Sequence, residues 1–145
     1  MHEKYIVHFI SRTKKKMIGF IEKKLLENDL NGLIPSHGNI LTALFDNNGK
    51  LTMKKISEIT GKDKSTITPL INKLLELGYI TKEKSDKDKR VTYIILTSEG
   101  IQIKDKYTAI SDDIYATAYK DFSEEEKEIF LRLLKKMNNN FNSNI

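Results

Sequence analysis

Residues 62–74, KDKSTITPLINKL, set hydroxyls, an amide and ammonium groups ahead of an apolar, helix-like tail. Read as one helix, the first turns present Lys64, Ser65, Thr66, Thr68 and Pro69, and one turn further on Asn72 and Lys73. Hydroxyl, carboxamide and ammonium groups bond base edges and phosphate oxygens, and a threonine methyl can touch thymine. Such a face suits a DNA major groove and suits a hydrophobic core poorly. Asp63 is better placed as the helix cap than as a DNA contact, since a phosphate repels it. Pro69 lacks an N–H, so a bend or a loose first turn is expected there. An ordinary amphipathic surface helix would carry a similar mix, and the next stretch of chain has to separate the two readings.

That stretch holds SDKDKR, residues 85–90, a charged tip between two β-like runs. Lys87, Lys89 and Arg90 on such a tip can straddle a sugar–phosphate backbone, and an arginine can enter the narrow, electronegative minor groove. Asp88 lies two residues from Arg90, where its carboxylate can pair with the guanidinium and fix the tip. In isolation this would be a solvated turn. Directly after a helix of the kind described it is far more specific.

Little else in the chain could do chemistry. There are no cysteines, which removes disulfides, thiol catalysis and thiol redox sensing. His2, His8 and His37 match no metal-ligand spacing, so no metal site is expected. Tyr107, Tyr115 and Tyr119 could line an aromatic pocket, but helix packing in a dimer is the expected role. Glu124–Glu126 are explained by helix capping. No nucleophile–base arrangement and no phosphate-binding glycine loop is present, so the chain reads as a non-enzyme with no cofactor. No apolar stretch is long enough to cross a membrane and Met1–Phe20 has no signal-peptide pattern, so no membrane association and a cytoplasmic location are expected.

Charge placement agrees. The net charge is +5, and Leu51–Thr97 holds ten Lys/Arg against six Asp/Glu, while the remainder holds fifteen against fourteen. A basic centre between nearly neutral flanks points toward a polyanion such as nucleic acid.

The elements that must position these residues are legible from period and caps. Lys4–Asn28 carries apolar Ile6, Phe9, Ile10, Met17, Phe20, Ile21 and Leu25 on one helical stripe, with Lys14–Lys16 solvated. Pro35 opens a short helix to about Asp46, closed by DNNG. Thr52 caps MKKISEIT, Gly61 ends it, and Asp63 caps the next helix through Glu76, stopping at Gly78. With Ile56, Ile59, Ile67, Leu70, Leu74 and Leu75 facing inward, this pair is a helix-turn-helix. YITKEK and RVTYIILT then alternate as two antiparallel strands with SDKDK as the hairpin tip. Thr97 caps a long helix, Ser98 to about Lys120. Ser123 with Glu126 forms a capping box for a last helix, EEEKEIFLRLLKKMNN, acidic in its first turn and basic in its last, and the tail NNNFNSNI is expected to fray. The fold expected is mainly α with a small β-hairpin wing, a winged helix-turn-helix at 33–97 flanked by dimerisation helices at 1–32 and 98–145.

In this form the chain resembles the MarR family of winged-helix regulators. DKDKRVTYIILTSEG fits that family's wing pattern of Asp-x-Arg, a β run and Leu-Thr-x-x-Gly, at Asp88, Arg90, Leu96, Thr97 and Gly100. KDKSTITPLINKLLELGYI looks like its recognition helix and the start of its wing. GLIPSHGNIL resembles its second-helix start, with Ile34 where the family usually has Ser or Thr, and adds Ser36 and His37 to the candidate DNA contacts. The resemblance implies an obligate homodimer with intertwined terminal helices, bound to double-stranded DNA at a pseudo-palindromic operator. It also implies a repressor relieved by a small aromatic or phenolic effector. A winged helix used only as a protein-interaction module is the alternative.

Overall fold

A computed structural model describes residues 3–30 and 32–142. His2, Asn31 and the last three residues of the expected frayed tail lie outside the described residues. The element order is α1 (Ile6–Glu27), α2 (Gly38–Asp46), β1 (Lys50–Thr52), α3 (Met53–Thr60), α4 (Lys64–Glu76), β2 (Ile80–Lys84), β3 (Thr92–Leu96), α5 (Ser98–Gln102), α6 (Lys104–Ala118) and α7 (Glu124–Asn140). One 3-10 turn, Glu3–Tyr5, leads into α1 and another, Pro35–His37, into α2. The chain divides into two compact units, Met1–Ile110 and Ser111–Ile145, with the division inside α6.

The first unit is built around the helix-turn-helix. Ile40, Leu41 and Leu44 of α2, Ile56 of α3, Ile67, Ile71 and Leu74 of α4, and Ile94 of β3 are all fully buried. Ile71, absent from the expected inward set, is fully buried, whereas Ile59 of that set is 47% exposed near the end of α3. The i, i+4 and i+7 positions Ile67, Ile71 and Leu74 form the true stripe of α4, and Leu70 and Leu75 flank it half-buried.

Caps fix where the helices begin. Thr52 Oγ1 accepts the N–H of Lys55 at the start of α3, and Asp63 Oδ1 accepts the N–H of Thr66 at the start of α4. Gly61, with φ of +67°, ends α3 in the left-handed region that glycine enters most readily. Helix α4 runs unbroken from Lys64 to Glu76 across Pro69, so the expected bend does not interrupt it.

The wing differs from a plain hairpin. Its sheet has three antiparallel strands in the order β1-β3-β2, because Lys50–Thr52 pairs with β3, Leu51 opposite Ile94. On the other side Ile80 faces Leu96 and Lys84 faces Thr92. The strands are shorter than the alternating runs suggest, so Arg90 falls in the tip rather than in a strand.

The Leu-Thr-x-x-Gly segment ties the wing to α5. Thr97 Oγ1 donates to the Gly78 carbonyl at 2.6 Å and accepts the Gly100 N–H at 3.1 Å. A Cβ at Gly100 would collide with the Tyr79 carbonyl oxygen, so only glycine allows α5 to start this close to the wing. The expected long helix from Ser98 is broken at Ile103, giving α5 and α6.

In the second unit Ser123 and Glu126 form the expected capping box, and Glu124, Glu125 and Glu126 fill the first turn of α7. No basic residue lies in its last turn, because the helix continues past Lys135 and Lys136 into the asparagines. Phe122 packs edge-on against both Tyr119 and Phe130.

Candidate nucleic-acid interface

The start of α4 offers its polar side chains outward. Lys64, Ser65, Thr66, Pro69 and Asn72 are exposed, and Thr68 and Lys73 are half-exposed. Their hydrogen bonds sort them further. Ser65 Oγ donates to Asp63 at 2.8 Å and Thr68 Oγ1 donates to the Lys64 carbonyl at 2.7 Å, so both hydroxyls face outward as acceptors. The Ser65 hydroxyl, the Thr66 N–H and the Thr66 side chain hold the Asp63 carboxyl below its ordinary range, which keeps the cap ionised. Lys73 Nζ lies 3.8 Å from Glu76. Among the described residues Asn72 makes no side-chain hydrogen bond. Its amide is the group on this helix freest to act as both donor and acceptor.

The wing tip is stapled from within. Ser85 Oγ accepts the N–H groups of Lys87 and Asp88 at 3.2 and 3.3 Å, and Val91 N–H donates to the Asp88 carbonyl at 2.9 Å. The Asp88 carboxylate accepts the backbone N–H and Nε–H of Arg90 on one oxygen, both at 3.0 Å, and Nη2–H on the other at 3.1 Å. The Arg90 guanidinium holds the Asp88 carboxyl below the usual carboxylate range. Asp88 and Arg90 therefore form a two-pronged pair, with Lys87 and Lys89 exposed beside it.

A cleft of about 680 Å³ joins the two parts, lined by the starts of α3 and α4 and by the wing. It brings Lys64 and Thr68 to the same opening as Arg90, and adds Lys54 and Lys82, which the motif reading missed. Strand alternation held the signal for Lys82. It pairs with fully buried Ile94 and so lies on the helix-facing side of the sheet, where an apolar residue is the norm.

Ser36 is exposed at the start of the second helix, whereas His37 does not belong with the surface candidates. It is 1% exposed, and its Nδ1 accepts the Ile34 N–H at 3.0 Å, supplying from the third position the cap that Ile34 cannot. Burial lowers its pKa, with the Leu70 backbone opposing and Lys73 and Lys62 assisting. With Nδ1 accepting, the ring proton sits on Nε2, which is buried; the Leu70 backbone attracts it, but no hydrogen bond of ordinary geometry forms. Tyr107 is buried in the first unit, tilted against Phe45, while Tyr115 is 59% exposed. Among the described residues no three His, Cys, Asp or Glu side chains form a metal-binding group, and no helix is long and apolar enough to cross a membrane.

The family model described as MarR family matches residues 31–91, from the approach to α2 to the base of β3. Over that segment the chain is similar to the MarR family. The HTH-type transcriptional regulator SarZ of Staphylococcus haemolyticus is 35% identical over 98 residues, 67% of this chain and 65% of that protein. The matched part of the chain thus spans just under two thirds of the length of that curated relative. Among solved structures, AbfR bound to DNA superposes with a TM-score of 0.75 at 23% identity, covering 95% of this chain and 93% of AbfR. PcaV from Streptomyces coelicolor, in complex with its natural ligand, does so at 0.77 and 20%, covering 93% and 92%. These two likenesses show a shared winged-helix fold.

Proposed function

We propose that this protein is a dimeric, sequence-specific DNA-binding transcriptional regulator of the MarR family, a repressor released by a small aromatic or phenolic effector. Residues 33–97 form its DNA-binding part, and 1–32 with 98–145 its dimerisation region. The observation that carries the reading is the shared cleft: the polar start of α4 and the braced Arg90 open on one side of one compact unit. A helix for the major groove and an arginine for the flanking minor groove are thereby presented together. Lys64 and Lys73 hold phosphates, while Thr66, Thr68 and Asn72 read base edges. The relative's name as a transcriptional regulator and the DNA in the AbfR structure support the reading. The ligand in PcaV supports an effector, and the apolar faces of the terminal helices support the dimer.

Selection of bound duplexes from a random pool tests this. Enrichment of a two-fold symmetric site, bound at least about a thousand-fold more tightly than random DNA, is expected. Release of that complex by a simple phenol or aromatic acid is the expected sign of the effector. No binding to any duplex even at low salt would overturn the reading in favour of a protein-interaction module.

A further inference from the structure

The cleft between α3, α4 and the wing holds more positive charge than the helix-and-tip scheme uses. Lys54, Lys64, Lys82 and Arg90 line it against the single carboxylate of Glu58, which is itself 3.6 Å from Lys55. Among the described residues Lys54, Lys64 and Lys82 make no ion pair.

Folding does not reward these three placements. Lys54 and Lys64 stand in the first turns of α3 and α4, neither of which has an acidic residue there. Positive charge at a helix N-terminus opposes the helix dipole, and α7 with its three glutamates shows the favourable arrangement. Lys82 takes a helix-facing position in an edge strand opposite Ile94. Three ammonium groups converging on one opening repel one another unless an anion lies between them.

Duplex geometry says which anion. If α4 occupies a major groove and Arg90 the adjoining minor groove, the strand of phosphates that separates those grooves must pass between helix and wing. That path crosses this cleft. Exposed lysines on flexible stems, acting as point charges, suit a phosphodiester chain better than one small ligand needing fixed geometry. We propose that the cleft seats this intervening sugar–phosphate strand, and that Lys54 and Lys82 are phosphate-gripping residues alongside Lys64. The proposal rests on the DNA-binding reading above.

The test uses the full-length protein, Lys54→Ala, Lys82→Ala, the double variant and Glu58→Gln. Affinity for the selected site and for a random duplex is measured between about 50 and 200 mM salt, a range over which phosphate contacts dominate the change. Each lysine variant should lower the slope of log affinity against log salt by about 0.9 per protomer and weaken both DNAs by the same factor. Glu58→Gln should tighten both. Thermal melts of the lysine variants should be no lower than the parent's, since these side chains are exposed and folding does not reward their charge. If the parent binds DNA and the double variant keeps its slope, or weakens only the selected site, the cleft does not hold the strand. If the parent binds no duplex, the DNA-binding reading itself fails. Exchange of chloride for inorganic phosphate at matched ionic strength should leave binding unchanged. A phosphate-specific loss that disappears in the double variant would make the cleft a free-anion site and overturn the proposal.

Discussion

Arg90 is 91% exposed, yet three of its N–H groups are taken by Asp88. An ion pair this exposed adds little to stability, so its effect is to hold a long side chain in one orientation. Binding then immobilises an arginine whose freedom is already reduced. Arg90→Ala should weaken binding of the selected site by about 1–3 kcal/mol with the thermal melt unchanged. Asp88→Ala should also weaken it, by less, although it deletes a negative charge close to DNA. Tighter binding by that variant, in the same anisotropy assay, would show that the carboxylate does not position Arg90. Because the Asp88 carboxyl titrates below its ordinary range, the brace persists as pH falls to the usual carboxylate value and is lost only below it. This pair was legible in sequence because its partners are two residues apart. Lys54 was not, and Lys82 only in its unusual helix-facing strand position, since their convergence is made by elements that are distant along the chain.

Caps and turns at the level of single elements were read directly: Thr52, Asp63, Thr97 and Ser123 all cap as their positions imply. Strand β1 was not, because three residues are too few to show alternation and their extended form comes from pairing with β3. The break at Ile103 has no glycine or proline to announce it. His37 was expected as a contact because it lies beside the helix expected to read DNA, whereas its ring is buried and is the post on which the start of α2 is pinned. Its pKa is lowered in the folded chain, so the unfolded chain takes up a proton first as pH falls. The stabilisation is complete above the unfolded value near 6.5 and is lost as pH drops below it, by up to about 1.4 kcal/mol per pH unit. Denaturant midpoints at about pH 7.5 and pH 5.5, on either side of that value, should show this loss. His37→Asn, which can keep an acceptor toward Ile34, should be less stable at the higher pH but should lack the His37 part of the decline. Thr97 makes a separate prediction. Thr97→Val keeps shape but removes both the bond to Gly78 and the cap on Gly100, and should cost about 1–2 kcal/mol in equilibrium unfolding.

For the molecule as a whole, the terminal helices carry what the isolated chain leaves exposed. Ile6, Phe9, Ile10 and Met17 of α1 are 43–47% exposed, and Ile129, Phe130, Leu131, Leu133 and Leu134 of α7 are 38–48% exposed. Side chains of this kind in contiguous helical rows mark an association surface. The sequence pattern showed the stripes, but a stripe that packs internally and one that awaits a second copy look alike until burial is known. Replacing Leu131 and Leu134 by Glu should cost the separate protomer little, since both already face water, and should abolish a dimer that buries them. Light scattering of the parent should give twice the chain mass, and the double variant the chain mass with its circular dichroism retained. The consequence for DNA is then geometric. A two-fold dimer meets two half-sites about 10–10.5 bp apart or a multiple of that, and inserting about 5 bp between them turns one half-site to the opposite face of the duplex. The parent should lose most of its affinity for the site so lengthened, and the monomeric variant should bind original and lengthened sites equally weakly. Equal binding of both sites by the parent would mean that each protomer reads DNA alone, and the exposed apolar faces would then need a different partner.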